Sequence, residues 1–242
     1  MPAHPDLPAS QPDHLVVMAS TLDEGARWCE ALLGVAPGPG GKHALMGTHN
    51  RLLNISSPAF PACYLEIIAL DPQAAPQRAP GLRRWFDMDD QLLGEQVAQH
   101  GPQLIAWVAR GPDMQAAARR LANAGLDCGA LVQASRPGPT GLLEWRISVR
   151  DDGQRLLGGA LPTLIEWGAA GNPAPLHPTD AMPASGVQLQ GLELSHPESA
   201  LLQAATRALG LTQLPMQPGT PCLCATLQTP RGPVRLRSPA PA

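Results

Sequence analysis

The sequence predicts an α+β fold built from copies of one βαβββ unit, with a cup-shaped mixed sheet and helices on its outer face. Three observations carry this. A strand, a helix and a closing glycine recur in that order three times along the 242 residues. Short strand-like runs follow each helix. One helix for about four strands, with short connections, argues against a doubly wound parallel sheet. A mixed sheet remains, covered on one face and free to curl around a ligand with the other.

The first unit opens with a strand at 13–19 and a helix at 22–33. Asp23 and Glu24 stand in the first turn, where the helix dipole favours carboxylates. Ala26, Cys29, Leu32 and Leu33 form the apolar stripe, and Gly34 suits a helix end that needs positive φ. Strand-like runs follow at 43–46, 50–55 and 64–70. The second unit has a strand at 103–109, a helix at 113–124 striped by Ala117, Leu121 and Ala124, and Gly125 at its end. Its later strands read at 130–134, 142–149 and 163–167, with a turn signal at Asp151-Asp152-Gly153. The third unit has a strand at 191–195, Pro197 before a helix at 198–209, Gly210 after it, and clear strands at 223–228 and 234–237. The 28 prolines and 24 glycines gather in segments that read as linkers, at 36–41, 71–80, 171–185 and 213–221. The organisation that results is a tail at 1–12, modules at 13–100 and 101–180, a partial module at 181–237, and a disordered tail at 238–242.

Composition narrows the function classes. A net charge of -3 and a pI near 6.1 leave no nucleic-acid footprint, and no basic stripe suits an anionic membrane. No run approaches the roughly 18 apolar residues of a membrane span. The start Met1-Pro2-Ala3-His4-Pro5-Asp6 lacks the basic and apolar regions of a secretory signal, so the expected location is the cytoplasm. Five scattered cysteines argue against a disulfide framework, and Cys222 and Cys224 read as small residues on one face of a strand. The expected partner is a small molecule, with no nucleic acid and no membrane; a homodimer is left open. No G-x-S-x-G, Walker A, dinucleotide G-x-G-x-x-G or H-E-x-x-H occurs, which counts against hydrolase, kinase and dehydrogenase readings.

Strand alternation places the chemistry. Leu15, Val17 and Ala19 suit the helix-covered face, which turns His14 into the open face with Val16 and Met18. Leu65 and Ile67 likewise turn Glu66 inward with Tyr64 and Ile68. An imidazole and a carboxylate on neighbouring strands are divalent-metal ligands by type, or else simply a hydrogen-bonded pair. Aligning Tyr64-Leu65-Glu66-Ile67 with Thr163-Leu164-Ile165-Glu166 adds Glu166, as a metal ligand or a general base. The polar run Gly47-Thr48-His49-Asn50-Arg51 offers His49 and Asn50 for substrate oxygens and Arg51 for a carboxylate or enolate. Arg136 in a Ser-Arg-Pro-Gly turn, Trp145, Arg146 and His177 form a second polar group for substrate binding.

The runs Asp13-His14-Leu15-Val16-Val17, Leu33-Gly34-Val35-Ala36-Pro37-Gly38, Met46 to Leu53, and Tyr64-Leu65-Glu66-Ile67-Ile68 resemble a glyoxalase-like domain of the vicinal oxygen chelate superfamily. So does Leu161 to Gly168 with Pro175-Leu176-His177-Pro178 after it. The resemblance implies paired βαβββ modules and a divalent metal (Mn, Fe, Ni or Zn) on the first and fourth strands of each module. His14, Glu66 and Glu166 match three of those positions. The fourth falls on Leu104 or Ile105, which cannot ligate, so either His49, His177 or water takes the place or the metal is absent. The resemblance implies a metal-dependent lyase, isomerase or dioxygenase acting on a substrate with adjacent oxygens. The alternative is a non-catalytic binding protein of the same fold.

Overall fold

A computed structural model describes residues 10–168 and 176–239. The expected tail at 1–12 is therefore described only from Ser10. The expected linker at 171–185 and the tail at 238–242 fall partly outside the described residues.

The first strand, β1 (Gln11–Met18), leads into α1 (Leu22–Leu33). Thr21 caps the helix by accepting from the Glu24 amide, and Gly34 ends it at φ 78°. The strands β2 (Gly38–His43), β3 (Thr48–Asn54) and β4 (Tyr64–Leu70) follow, then α2 (Gln91–His100). The second half runs β5 (Gln103–Arg110), α3 (Met114–Asn123), β6 (Ala130–Gly138), β7 (Gly141–Val149) and β8 (Thr163–Trp167). These eight strands form one curled sheet in the order β2-β3-β4-β1-β5-β8-β7-β6. β1 pairs with β4 in parallel and β5 pairs with β8 in parallel, while β1 and β5 meet antiparallel at the centre. The curl brings the outer strands β2 and β6 close without pairing them: a Cβ at Gly41 would lie 2.8 Å from Arg136 Cδ.

The last segment holds β9 (Gln188–Ser195), α4 (Ser199–Ala208), β10 (Met216–Gln217), β11 (Cys222–Thr229) and β12 (Gly232–Arg237). They make a separate four-stranded sheet in the order β10-β9-β11-β12. Here the first strand lies inside the sheet, unlike β1 and β5 within their own units. The two-residue β10, cut from a segment that reads as linker, pairs with β9 rather than with β11.

Two apolar layers follow from the alternation. The outer layer joins Leu15, Val17, Leu65, Ile67, Leu104 and Trp107 to α1, α3 and the small sheet. The inner layer joins Val16, Met18, Ile68, Ile105, Val108 and Ile147 to a plug from the connection between the halves: Trp85, Phe86, Met88, and Leu93 and Val97 of α2. The sheet is thus cup-shaped with α1 and α3 outside, and α2 is the helix on the inside.

Three local expectations are corrected. The segment 36–41 is mostly strand, because its glycines admit neighbours that side chains would exclude. The run 43–46 is the end of β2 followed by a turn, closed by the Gly47 amide donating to the His43 carbonyl at 2.8 Å. Arg136 lies within β6, not in a turn, opposite Leu143.

Candidate functional site

The inner face retains a small polar cavity of about 30 Å3, walled in part by His14, His43, Asn50, Tyr64, Glu66 and Arg136. That is room for a water or two. The register sets His14 opposite Tyr64 and Val16 opposite Glu66, so the imidazole and the carboxylate lie two residues apart along adjacent parallel strands. His14 Nε2 stands 3.7 Å from Glu66 Oε2. The His14 ring stacks on Tyr64 with centroids 4.5 Å apart.

A bulge makes the site. The pairing of β1 with β5 shifts between Pro12 and His14 and leaves Asp13 as the extra residue. Its carboxylate is 0% exposed. Asp13 Oδ1 meets His14 Nδ1 at 2.6 Å, while Oδ2 accepts from Trp167 Nε1 at 3.0 Å, Arg110 at 3.3 Å and His177 Nε2 at 3.1 Å. Burial raises the Asp13 pKa, but the hydrogen bonds from His14 and His177 and their charge outweigh it and hold the group ionised well below the usual carboxylate range. Asp13 thus holds the Nδ1 edge of the His14 ring, which turns Nε2 toward Glu66 and the cavity.

Asn50 is aimed by β2. The Gly41 amide donates to Asn50 Oδ1 at 2.7 Å, which leaves Asn50 Nδ2 to donate to Glu66 Oε1 at 2.6 Å and to face His43 Nε2 at 3.3 Å. A Cβ at Gly40 would lie 2.1 Å from Asn50 Oδ1, so this approach requires glycine. His43 Nδ1 in turn donates to Thr48 Oγ1 at 3.0 Å. Burial drives the His43 pKa down to about 4, with Glu66 opposing and Arg136 assisting, so His43 is neutral at neutral pH. Burial, reinforced by the negative charges of Asp13 and Glu66, raises the Tyr64 pKa well above its ordinary value and keeps the phenol protonated.

Of the residues singled out from sequence, the structure gathers His14, Asn50, Glu66, Arg136 and Trp145 around the cavity. His177 does not line it; it bonds Asp13 and caps a short turn through Thr179. His49 and Arg51 lie on the opposite face of β3 from Asn50, with Arg51 3.5 Å from Asp23 of α1. Glu166 needs correction. Ile165 and Trp167 line the cavity, so Glu166 faces outward, where Arg146 Nη2 holds it at 2.6 Å and the Met114 amide at the start of α3 reaches it at 3.4 Å. It is a helix-end carboxylate, and Arg146 goes outward with it. Reading the residues missed His43, Asp13, Trp85 and Trp167. The buried pair Asp13-His14 was the available signal for the second of these.

The residues do not fit a four-ligand metal centre. In the second half, Ile105 and Ile165 stand on the inner face where ligands would be needed. Among the described residues no group of three or more His, Cys, Asp or Glu is placed to hold a metal ion.

A family model described as a glyoxalase-like domain matches residues 13–210. The chain belongs to the glyoxalase-like domain family. No curated protein matches this glyoxalase-like chain. Among solved structures it is similar to a hypothetical protein from Staphylococcus aureus, with TM-score 0.54 and 12% identity over 94% of this chain and 85% of that one. A methylmalonyl-CoA epimerase from Streptomyces coelicolor matches at TM-score 0.39 and 16% identity over 67% of this chain and 100% of that one. A 4-hydroxymandelate synthase mutant from the same organism matches at 0.44 and 13% over 96% and 63%. These likenesses concern the fold alone. No helix among the described residues is long and apolar enough to cross a membrane.

Proposed function

We propose that this glyoxalase-like protein binds a small molecule with adjacent oxygens in its cup and moves a proton on it, in the manner of a lyase or isomerase, with Glu66 as the base. One observation carries the reading. Glu66 is 4% exposed, Asn50 holds one of its oxygens, and the other faces the cavity with only His14 Nε2 near it. A carboxylate so placed can take a proton from a carbon next to a carbonyl group. The electron pair left behind becomes an enolate oxygen, which the Arg136 guanidinium on the same cavity wall stabilises. His14 relays the proton back.

Proton abstraction can be read without knowing the product. Small 2-oxo acids, hydroxy ketones and thioesters are incubated with the protein in deuterium oxide and followed by NMR. The wild type is expected to exchange the acidic hydrogen of at least one ligand class, and Glu66→Gln to slow that exchange by about 10²–10⁴-fold. If the wild type exchanges nothing that it binds, it is a sequestering protein and the proposal fails.

A second reading is favoured by the Asp13–His14 bond, because a carboxylate behind an imidazole orients it for a metal. His14 and Glu66 would then hold one divalent cation (Mn, Fe, Ni or Zn), with water in the remaining positions. Elemental analysis of untagged protein decides it: stoichiometric metal in the wild type that is absent from His14→Ala supports this reading, and none in either removes it.

A further inference from the structure

A second, larger cavity lies in the gap where β2 and β6 approach without pairing. Its volume is about 480 Å3, in the range of small-molecule sites. Its walls are mostly apolar and include Val35, Leu52, Leu143, Met182 and Pro183. Among the described residues one charged side chain lines it, Arg136, which also lines the inner cavity beside Glu66. Arg136 therefore stands between the two spaces.

Arg136 is 7% exposed. A guanidinium carries five donors and is always charged, and burying it is costly unless an anion meets it. Among the described residues no carboxylate pairs with it. Its one hydrogen bond runs from Nη1 to the Pro137 carbonyl at 3.3 Å. Two glycines of β2 make room for this side chain and for Asn50 beside it. Among the described residues, then, a buried cation stands at the mouth of an apolar cavity with no anion against it.

We propose that the ligand is an amphipathic monoanion, with an apolar body in the 480 Å3 cavity and a carboxylate on Arg136. One guanidinium matches one carboxylate through two parallel hydrogen bonds. Among the described residues no second lysine or arginine lines either cavity, which disfavours a doubly charged phosphate. The carboxylate on Arg136 brings the adjoining carbon toward Glu66, so the inference names the substrate class of the reaction proposed above and rests on the same cup.

Calorimetric titration with octanoate, 1-octanol and octyl phosphate tests it. Because only binding is read, the result stands whether or not Glu66 transfers a proton. The wild type is expected to bind octanoate at least tenfold more tightly than 1-octanol, and more tightly than octyl phosphate. Arg136→Met is expected to erase the preference over octanol, Arg136→Lys to keep part of it, and Ala184→Trp, which fills the cavity, to lose both ligands. Absence of octanoate binding, equal binding of octanoate and octanol, or tighter binding of octyl phosphate would each overturn the proposal. So would a preference that survives Arg136→Met. Should Arg136→Met not fold, as judged by near-ultraviolet circular dichroism, the wild-type comparison and Arg136→Lys decide.

Discussion

His43 records the electrostatics of the cup most directly. Its folded pKa of about 4 lies below its ordinary 6.5 because burial disfavours the imidazolium. Between those values the unfolded chain binds more protons than the folded one, so stability rises with pH across that window. The contribution is complete above about pH 6.5 and is lost as pH falls toward 4, on the order of 3 kcal/mol in all. Glu66, Arg136, His14 and His49 all act on this group, and Glu66 alone among the first two works to raise it. Asp13 titrates far lower, so its contribution is lost only at more acidic pH. Urea unfolding of the wild type and His43→Gln from pH 4 to 7 checks the assignment. The slope between pH 6.5 and 4 should flatten in the variant; an unchanged slope would place the proton uptake elsewhere.

At the scale of elements, the connection between the halves decides how much of the cup is open. Trp85 and Phe86 stack with ring centroids 5.3 Å apart and occupy the inner face together with α2. The buried Trp85 indole N–H has no hydrogen-bond partner among the described residues. Trp85→Phe removes that orphan donor along with some volume and should cost less than about 1.5 kcal/mol, whereas Trp85→Ala should cost about 3–5 kcal/mol through the cavity it leaves. Denaturant midpoints of the two variants check this; equal losses would show that the ring does not pack the cup. α1 was readable because its cap, its stripe and Gly34 are local signals. α2 was not, since only Leu93 and Val97 are buried and Gly94 lies between them. β2 was unreadable because its glycines and Pro39 look like linker until Asn50 and Arg136 are seen against them. The run read as a strand at 43–46 overlaps β2 only at His43, so its alternation could not set the face of His43. Period-two alternation did turn His14 and Glu66 inward. Treating Glu166 as the counterpart of Glu66 slips the strand by one residue: Ile165 takes the inward place of Glu66 and Glu166 the outward place of Ile67, and a slip of one exchanges the faces.

For the whole molecule, the outer layer and the small sheet stabilise the cup from behind, while the inner layer walls the small cavity in which Glu66 is the single carboxylate among the described residues. That arrangement fixes how global stability must respond to it. A carboxylate holding the fold together would be matched by a close cation, and its loss would leave that cation stranded. Glu66 instead has an amide donor at 2.6 Å and an imidazole at 3.7 Å, and glutamine can keep the first of these. Strain held for function is relieved when the functional group is removed. The direct measurement is a pair of thermal melts at pH 8, wild type against Glu66→Gln, with no ligand added. The melting temperature of Glu66→Gln should be unchanged or higher by up to about 4 °C, since about 1 kcal/mol corresponds to about 2–4 °C in a chain of this size. A fall of more than about 5 °C would show that the Glu66 charge serves the fold rather than a ligand, and would contradict the account.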